Sequence, residues 1–244
     1  MSPQFQMTTL EACGSVVESY YLPQDQIMGE LATHYAAAAL RIYCRRFGPY
    51  PYKEMAVVSA PIKYFGMEYP GLNLIGVDLY RAFRADLEFL VAHEVAHQWW
   101  YNQVGSDPVN VAWLDEGMAE FSTYTYYEGL YGTDRAEQLW ELRWRAPYQY
   151  AVENGLDDIV HQSNLDFDVA NYEVLVYAKA ALFFDSVRRE IGDDAYYATL
   201  REYLERYRFG IVVPSDFLAL AEEISQHSLT NLHQQWILTA SVPQ

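Results

Sequence analysis

His93-Glu94-Val95-Ala96-His97 places two imidazoles four positions apart with an acid beside the first. In a helix, residues i and i+4 share a face, so both rings can converge on one tetrahedral metal ion. Glu94 lies about 100° round the helix from His93. It can reach a water on the metal without becoming a ligand, which is the place of a general base in metal-assisted hydrolysis. The competing reading is an ordinary amphipathic helix whose histidines are solvated or satisfied by neighbours. A third ligand separates the two readings, because a catalytic zinc takes three protein ligands and keeps one position open. Trp113-Leu114-Asp115-Glu116-Gly117-Met118-Ala119-Glu120-Phe121 gathers carboxylates at a helix start, with Glu116 following His97 by 19 residues. That interval fits one helical turn, a loop and the start of an antiparallel helix facing the first. Glu120 lies one turn beyond Glu116 and reads as an exposed helix carboxylate in preference to a partner for a ligating histidine.

The elements that must hold these groups follow from the apolar spacing. Residues 15–22 are β-branched and aromatic and close at Pro23, so they read as a strand; residues 23–48 carry apolar side chains at helical spacing up to the Gly48-Pro49 stop. Two further strands are expected over 55–59 and 72–77, with Tyr64 to Gly71 between them. From Phe83 onward every periodic segment is helical, over 87–104, 115–131, 134–153, 172–191, 195–207, 215–225 and 229–238. Segregated strands and helices predict an α+β fold. No repeat, low-complexity tract or flexible linker divides the chain, so one domain over 1–244 is expected, with a mixed lobe to residue 82 and a helical lobe from 83 that carries the metal site.

With 51% hydrophobic and 16% aromatic residues, 244 residues can bury a sizeable core. A formal charge of −17, with no basic run longer than a pair, argues against a nucleic-acid or anionic-membrane surface. Cys13 and Cys44 lack metal-ligand spacing and read as buried small hydrophobes, with a single bridge between them left open. No apolar run approaches the roughly 18 residues of a membrane span, and residues 1–10 lack a basic start followed by an apolar stretch. The chain as given is expected to be soluble, with its compartment, cytoplasmic or extracytoplasmic, unassigned.

From Tyr64 to about Phe184 the sequence resembles the catalytic domain of the membrane alanyl aminopeptidase family, gluzincin zinc peptidases with a thermolysin-like fold. The resemblance rests on His93-Glu94-x-x-His97 followed by Glu116 in Trp-Leu-Asp-Glu-Gly-Met-Ala, where the family usually reads Trp-Leu-Asn-Glu-Gly-Phe-Ala. It implies one Zn2+ per chain on His93, His97 and Glu116, with Glu94 as the general base. The family anchors a free peptide amino terminus with Gly-Ala-Met-Glu-Asn on an edge strand. Gly66-Met67-Glu68-Tyr69 matches that motif at its Met-Glu core, which assigns the amine to Glu68, while Phe65-Gly66 and Tyr69 depart from it. Val176-Tyr177-Ala178-Lys179-Ala180 is similar to the family's Val-Tyr-Glu-Lys-Gly, whose tyrosine hydroxyl stabilises the tetrahedral intermediate; that assigns the role to Tyr177, with departures at 178 and 180.

The implied activity is removal of an amino-terminal residue from a peptide with a free amino terminus. Two alternatives are an endopeptidase of the same fold, and a weakly active or non-enzymatic interaction domain. Relatives carry a β-rich domain before this region and a helical domain after it, so flanking domains of a longer parent are implied as partners.

Overall fold

β1 (Gln6–Ala12) and β2 (Ser15–Tyr21) pair antiparallel through a two-residue turn in which Cys13 and Gly14 both have positive φ, 56° and 75°. That is the hairpin turn whose twist matches its strands. The computed structural model that contains these strands describes residues 4–240; residues 1–3, part of the stretch read for a leader, and 241–244, the end of the domain expected over 1–244, lie outside it. β1 is absent from the sequence expectation because its polar and apolar residues mix, whereas β2 alternates buried and half-buried positions.

α1 (Gln26–Arg46) lies against β1 and β2 and buries Ala32, Ala36, Ala37, Ala39, Leu40 and Tyr43 completely. Its small side chains let the backbone approach the sheet closely. The last turn of α1 thereby comes beside the β1–β2 turn, and Cys44 is joined there to Cys13 by a disulfide with Cα atoms 6.6 Å apart. The bridge left open by the sequence is formed, and the two cysteines are a disulfide in place of separate buried hydrophobes. Hairpin and helix bring together residues 31 apart in sequence, a closure that spacing alone does not reveal.

β3 (Glu54–Ala60) runs parallel to β2, and β4 (Gly66–Tyr69) and β5 (Leu72–Gly76) follow as a hairpin. β5 inserts parallel to β3, giving the order β1-β2-β3-β5-β4 with β4 at the edge. α2 (Leu87–Ala96) packs along α1 and touches both β4 and β5. The helix stops well short of the expected 104. Trp99 and Trp100 are both buried, though adjacent residues of a helix point about 100° apart, and Tyr101 leaves the helical region at φ 100°. The turn that results is fixed by Trp99 Nε1 donating to the Gly48 carbonyl at 3.0 Å and by Trp100 against Phe47, while the Tyr43 hydroxyl donates to the Ala92 carbonyl at 3.1 Å.

The chain divides into two compact units after Asn102, so α2 and its histidines belong to the first. In the second unit β6 (Val104–Gly105) pairs with a later strand, and α3 (Ala112–Tyr131) is buried over most of its length. α4 (Thr133–Trp140) and α5 (Ala146–Glu153) enclose a π-helical segment, Glu141–Arg145, inside the single helix expected over 134–153. Pro147 explains it, since its missing N–H cannot continue the i→i−4 ladder. A second π segment, Val174–Lys179, leads into α6 (Ala180–Ile191), which packs on α3. α7 (Asp193–Tyr207), β7 (Gly210–Ile211, the partner of β6), α8 (Pro214–Ser225) and α9 (Thr230–Ile237) complete the unit. Strands thus gather in the first part of the chain and helices in the remainder, the α+β arrangement expected. Among the described residues no helix is long and apolar enough to cross a membrane.

Lys179 ends the second π segment with no exposed side-chain surface. Its Nζ donates to Asp157 Oδ1 at 2.7 Å, the Asp158 carbonyl at 2.8 Å and the Thr239 carbonyl at 2.9 Å, using all three protons. Burial holds the ammonium below the usual lysine range, against the pull of Asp157. Lys179→Met would leave the Asp157 carboxylate buried without its cation. The expected cost is about 3 kcal/mol, measured as a lower urea midpoint at unchanged slope; an unchanged midpoint would show the pair to be dispensable.

Candidate active site

His93 and His97 sit on the last turn of α2 and at its C-cap, 4% and 1% exposed. Their Nε2 atoms are 3.1 Å apart. Two Zn–N bonds of about 2.0–2.1 Å at a tetrahedral angle put the nitrogens roughly 3.3 Å apart, so this spacing fits one ion between them. His97 Nδ1 lies 3.0 Å from the Trp100 carbonyl. A carbonyl only accepts, so Nδ1 carries the proton and the Nε2 lone pair faces the partner ring. The same turn that cuts α2 short therefore orients a ligand.

Glu94 is buried, and a Cβ added at Gly66 would collide with its carboxylate. Glycine at 66, a departure from the family motif, is what gives Glu94 its room. Strand alternation puts Glu68 on the same face of β4 as Gly66, and Glu68 pairs across the hairpin with Asn73. Met67 points to the other face and is half-buried, while Tyr69 is exposed. In the first unit the fold thus assembles His93, His97, Glu94 and Gly66, with Glu68 in line along the strand. Gln98, which sequence reasoning passed over, is fully buried beside His97. Its amide accepts from the Gly71 N–H at 2.8 Å and donates to the Tyr69 carbonyl at 3.1 Å and to Asn73 Oδ1 at 2.9 Å. A glutamine directly before two buried tryptophans was the available signal.

In the second unit Glu116 is half-buried on the second turn of α3, which begins at Ala112, three residues earlier than expected. The Tyr177 hydroxyl donates to Glu116 Oε1 at 3.2 Å, so the π segment delivers this tyrosine to the proposed ligand. π segments recur at functional sites because the extra residue re-aims a side chain. Tyr172 packs edge-on against Tyr177 at 6.2 Å. Burial, then the Glu116 and Asp115 carboxylates, push its phenol up to about 12, while a hydrogen bond with Tyr177 pulls it down. Glu120 is buried, not exposed, and accepts the Trp144 indole N–H at 2.8 Å. α3 is covered on nearly every side, so its acids cannot be assigned to solvent from one face.

Residues 31–236 match the Peptidase family M1 domain. The chain belongs to peptidase family M1. M1 relatives include Aminopeptidase 2 of Candida albicans, 24% identical over 93% of this chain and 26% of its own length. Aminopeptidase N of Lactococcus lactis is 26% identical over 66% of this chain and 20% of its own. Among solved structures, a point mutant of the M1 zinc metallopeptidase from Deinococcus radiodurans superposes with TM-score 0.75 at 20% identity, covering 98% of this chain and 53% of that one. Yeast LTA4 hydrolase gives 0.80 at 16% identity, covering 98% and 40%. The fold is that of the M1 metallopeptidases, as the motifs implied. The chain spans about a quarter of these curated relatives and about half of the first solved one.

Proposed function

We propose that this chain is the catalytic part of a zinc aminopeptidase, with His93, His97 and Glu116 holding one Zn2+. Two imidazoles and one carboxylate are a donor set for a catalytic zinc. The observation that carries the reading is the convergence of His93 and His97 Nε2 at 3.1 Å, with the Glu94 carboxylate alongside against Gly66. Zinc, when bound, supplies Lewis acidity and lowers the pKa of a water toward about 7.

The chain's own residues supply the rest. Glu68 receives the substrate ammonium, since a charged donor in a cleft calls for a charged acceptor. The open edge of β4 pairs with the peptide backbone and fixes the depth to which the substrate enters. Glu94 takes the proton from the attacking water and passes it to the leaving amine. The Tyr177 hydroxyl donates to the oxyanion formed from the scissile carbonyl. No covalent enzyme intermediate is needed.

The test compares a peptide carrying a free amino terminus with its acetylated form, alongside metal analysis. One zinc per chain and a free-amine preference of about 10–100-fold in kcat/KM are expected, from the strength of hydrogen bonds to charged groups. Equal cleavage of both peptides would make the chain an endopeptidase, and absence of bound zinc would make it a non-enzymatic member of the family.

A further inference from the structure

The carboxamide of Gln98 joins two parts of the first unit that the proposed chemistry needs in register. On one side is the end of α2, where Gln98 immediately follows His97. On the other is the β4–β5 turn, Tyr69-Pro70-Gly71-Leu72, whose glycine takes φ 73°. Gln98 holds both flanks of that turn: Oε1 accepts from the Gly71 N–H and Nε2 donates to the Tyr69 carbonyl. These backbone partners leave no choice of amide orientation, because an N–H must meet oxygen and a carbonyl must meet NH2. The second Nε2 contact, to Asn73 Oδ1, falls on the residue directly opposite Glu68 in the hairpin.

The backbone of Gln98 has little freedom of its own. Asn102 N–H donates to the His97 carbonyl at 3.1 Å, and the Trp99 indole is tied to Gly48. The turn is also held from beyond, since Ala56 N–H donates to the Gly71 carbonyl at 2.9 Å. A buried amide with its three contacts made is therefore clamped between two fixed bodies. Each end of β4 is thereby set against α2: Gly66 by its close approach to Glu94, and Tyr69 by Gln98. Glu68 lies between these two fixed points.

We propose that Gln98 is a positioning residue that sets the height of Glu68 relative to His93 and His97, and so tunes how tightly the substrate's amino group is held. This rests on the aminopeptidase reading. Loss of the clamp lets the β4–β5 turn shift while the metal ligands stay in place. The defect therefore falls on recognition of the free amine and spares metal content.

The test uses the full chain carrying Glu94→Gln, so that bound peptide is not cleaved, loaded with zinc. A dipeptide amide and its N-acetyl counterpart are titrated by calorimetry, with and without Gln98→Met, a substitution of similar length that makes none of the three bonds. Unchanged zinc stoichiometry and about a tenfold loss in preference for the free amine are expected. Gln98→Glu serves as the second variant should the first fail to fold; it keeps an acceptor for Gly71 but leaves the Tyr69 carbonyl facing a carboxylate oxygen without a donor, and the same loss is expected. An unaltered preference with zinc retained overturns the proposal. So does an equal weakening of both peptides, which marks a merely structural amide. If the Glu94→Gln chain shows no preference before Gln98 is touched, amine anchoring at Glu68 fails first and takes this role with it.

Discussion

Glu94→Gln is expected to retain one zinc per chain and to lose about 10²–10⁴-fold in kcat, the usual contribution of a general base. The substitution keeps the shape of the side chain, so the close approach to Gly66 survives, as do the convergent rings of His93 and His97. What changes is proton chemistry. An amide cannot take the proton from water, nor deliver it to the leaving amine, so both halves of the reaction lose their carrier. Metal analysis and steady-state hydrolysis of an amino-acid anilide together provide the check. Full activity at full zinc occupancy would end the proposed mechanism.

Glu116→Ala is expected to act one step earlier, on the metal itself. The histidines keep their geometry, because the bond from His97 to the Trp100 carbonyl and the packing of α2 lie within the first unit. Two neutral imidazoles without the carboxylate form an incomplete site. Affinity for zinc should fall by more than about 100-fold, since losing an outer partner of a ligand alone costs up to that much. The Tyr177 hydroxyl loses its acceptor in the same variant. Thermal unfolding reports the change directly: zinc at 100 times its Kd stabilises the parent chain by about 2.7 kcal/mol, and this zinc-dependent rise in Tm should vanish. Stoichiometric zinc in Glu116→Ala would remove this residue from the ligand set.

Local signals in the sequence carried much of this far. Helical spacing placed α1, α3 and the later helices, β-branched runs placed β2, β3 and β5, and the segregation of the two kinds of element predicted the α+β fold. The paired histidines with Glu94 are legible because a single helix brings them together. The missed features depend on chain returning from a distance. Cys13 meets Cys44 only because the first hairpin folds over α1. The end of α2 is decided by where Trp99 and Trp100 find burial, and the two-residue strands β6 and β7 exist only as each other's partners. Glu120 read as solvent-facing because a helix buried on nearly all sides shows no polar stripe. The π segments are register shifts of a single residue, below what apolar spacing can resolve, although Pro147 marks the first.

An open sheet edge carries a liability as well as a use, because the groups that pair with a peptide pair equally well with another folded molecule. β4 is four residues long, is followed at once by Pro70, and carries a carboxylate at its third position. Shortness, proline and charge are the features by which natural edges resist strand-to-strand association. The same Glu68 proposed to select an ammonium group is thus also the side chain that keeps the edge from recruiting its own kind. Changing it to an apolar residue trades a recognition defect for a solubility defect, and samples of such a variant would form concentration-dependent aggregates rich in intermolecular β-structure.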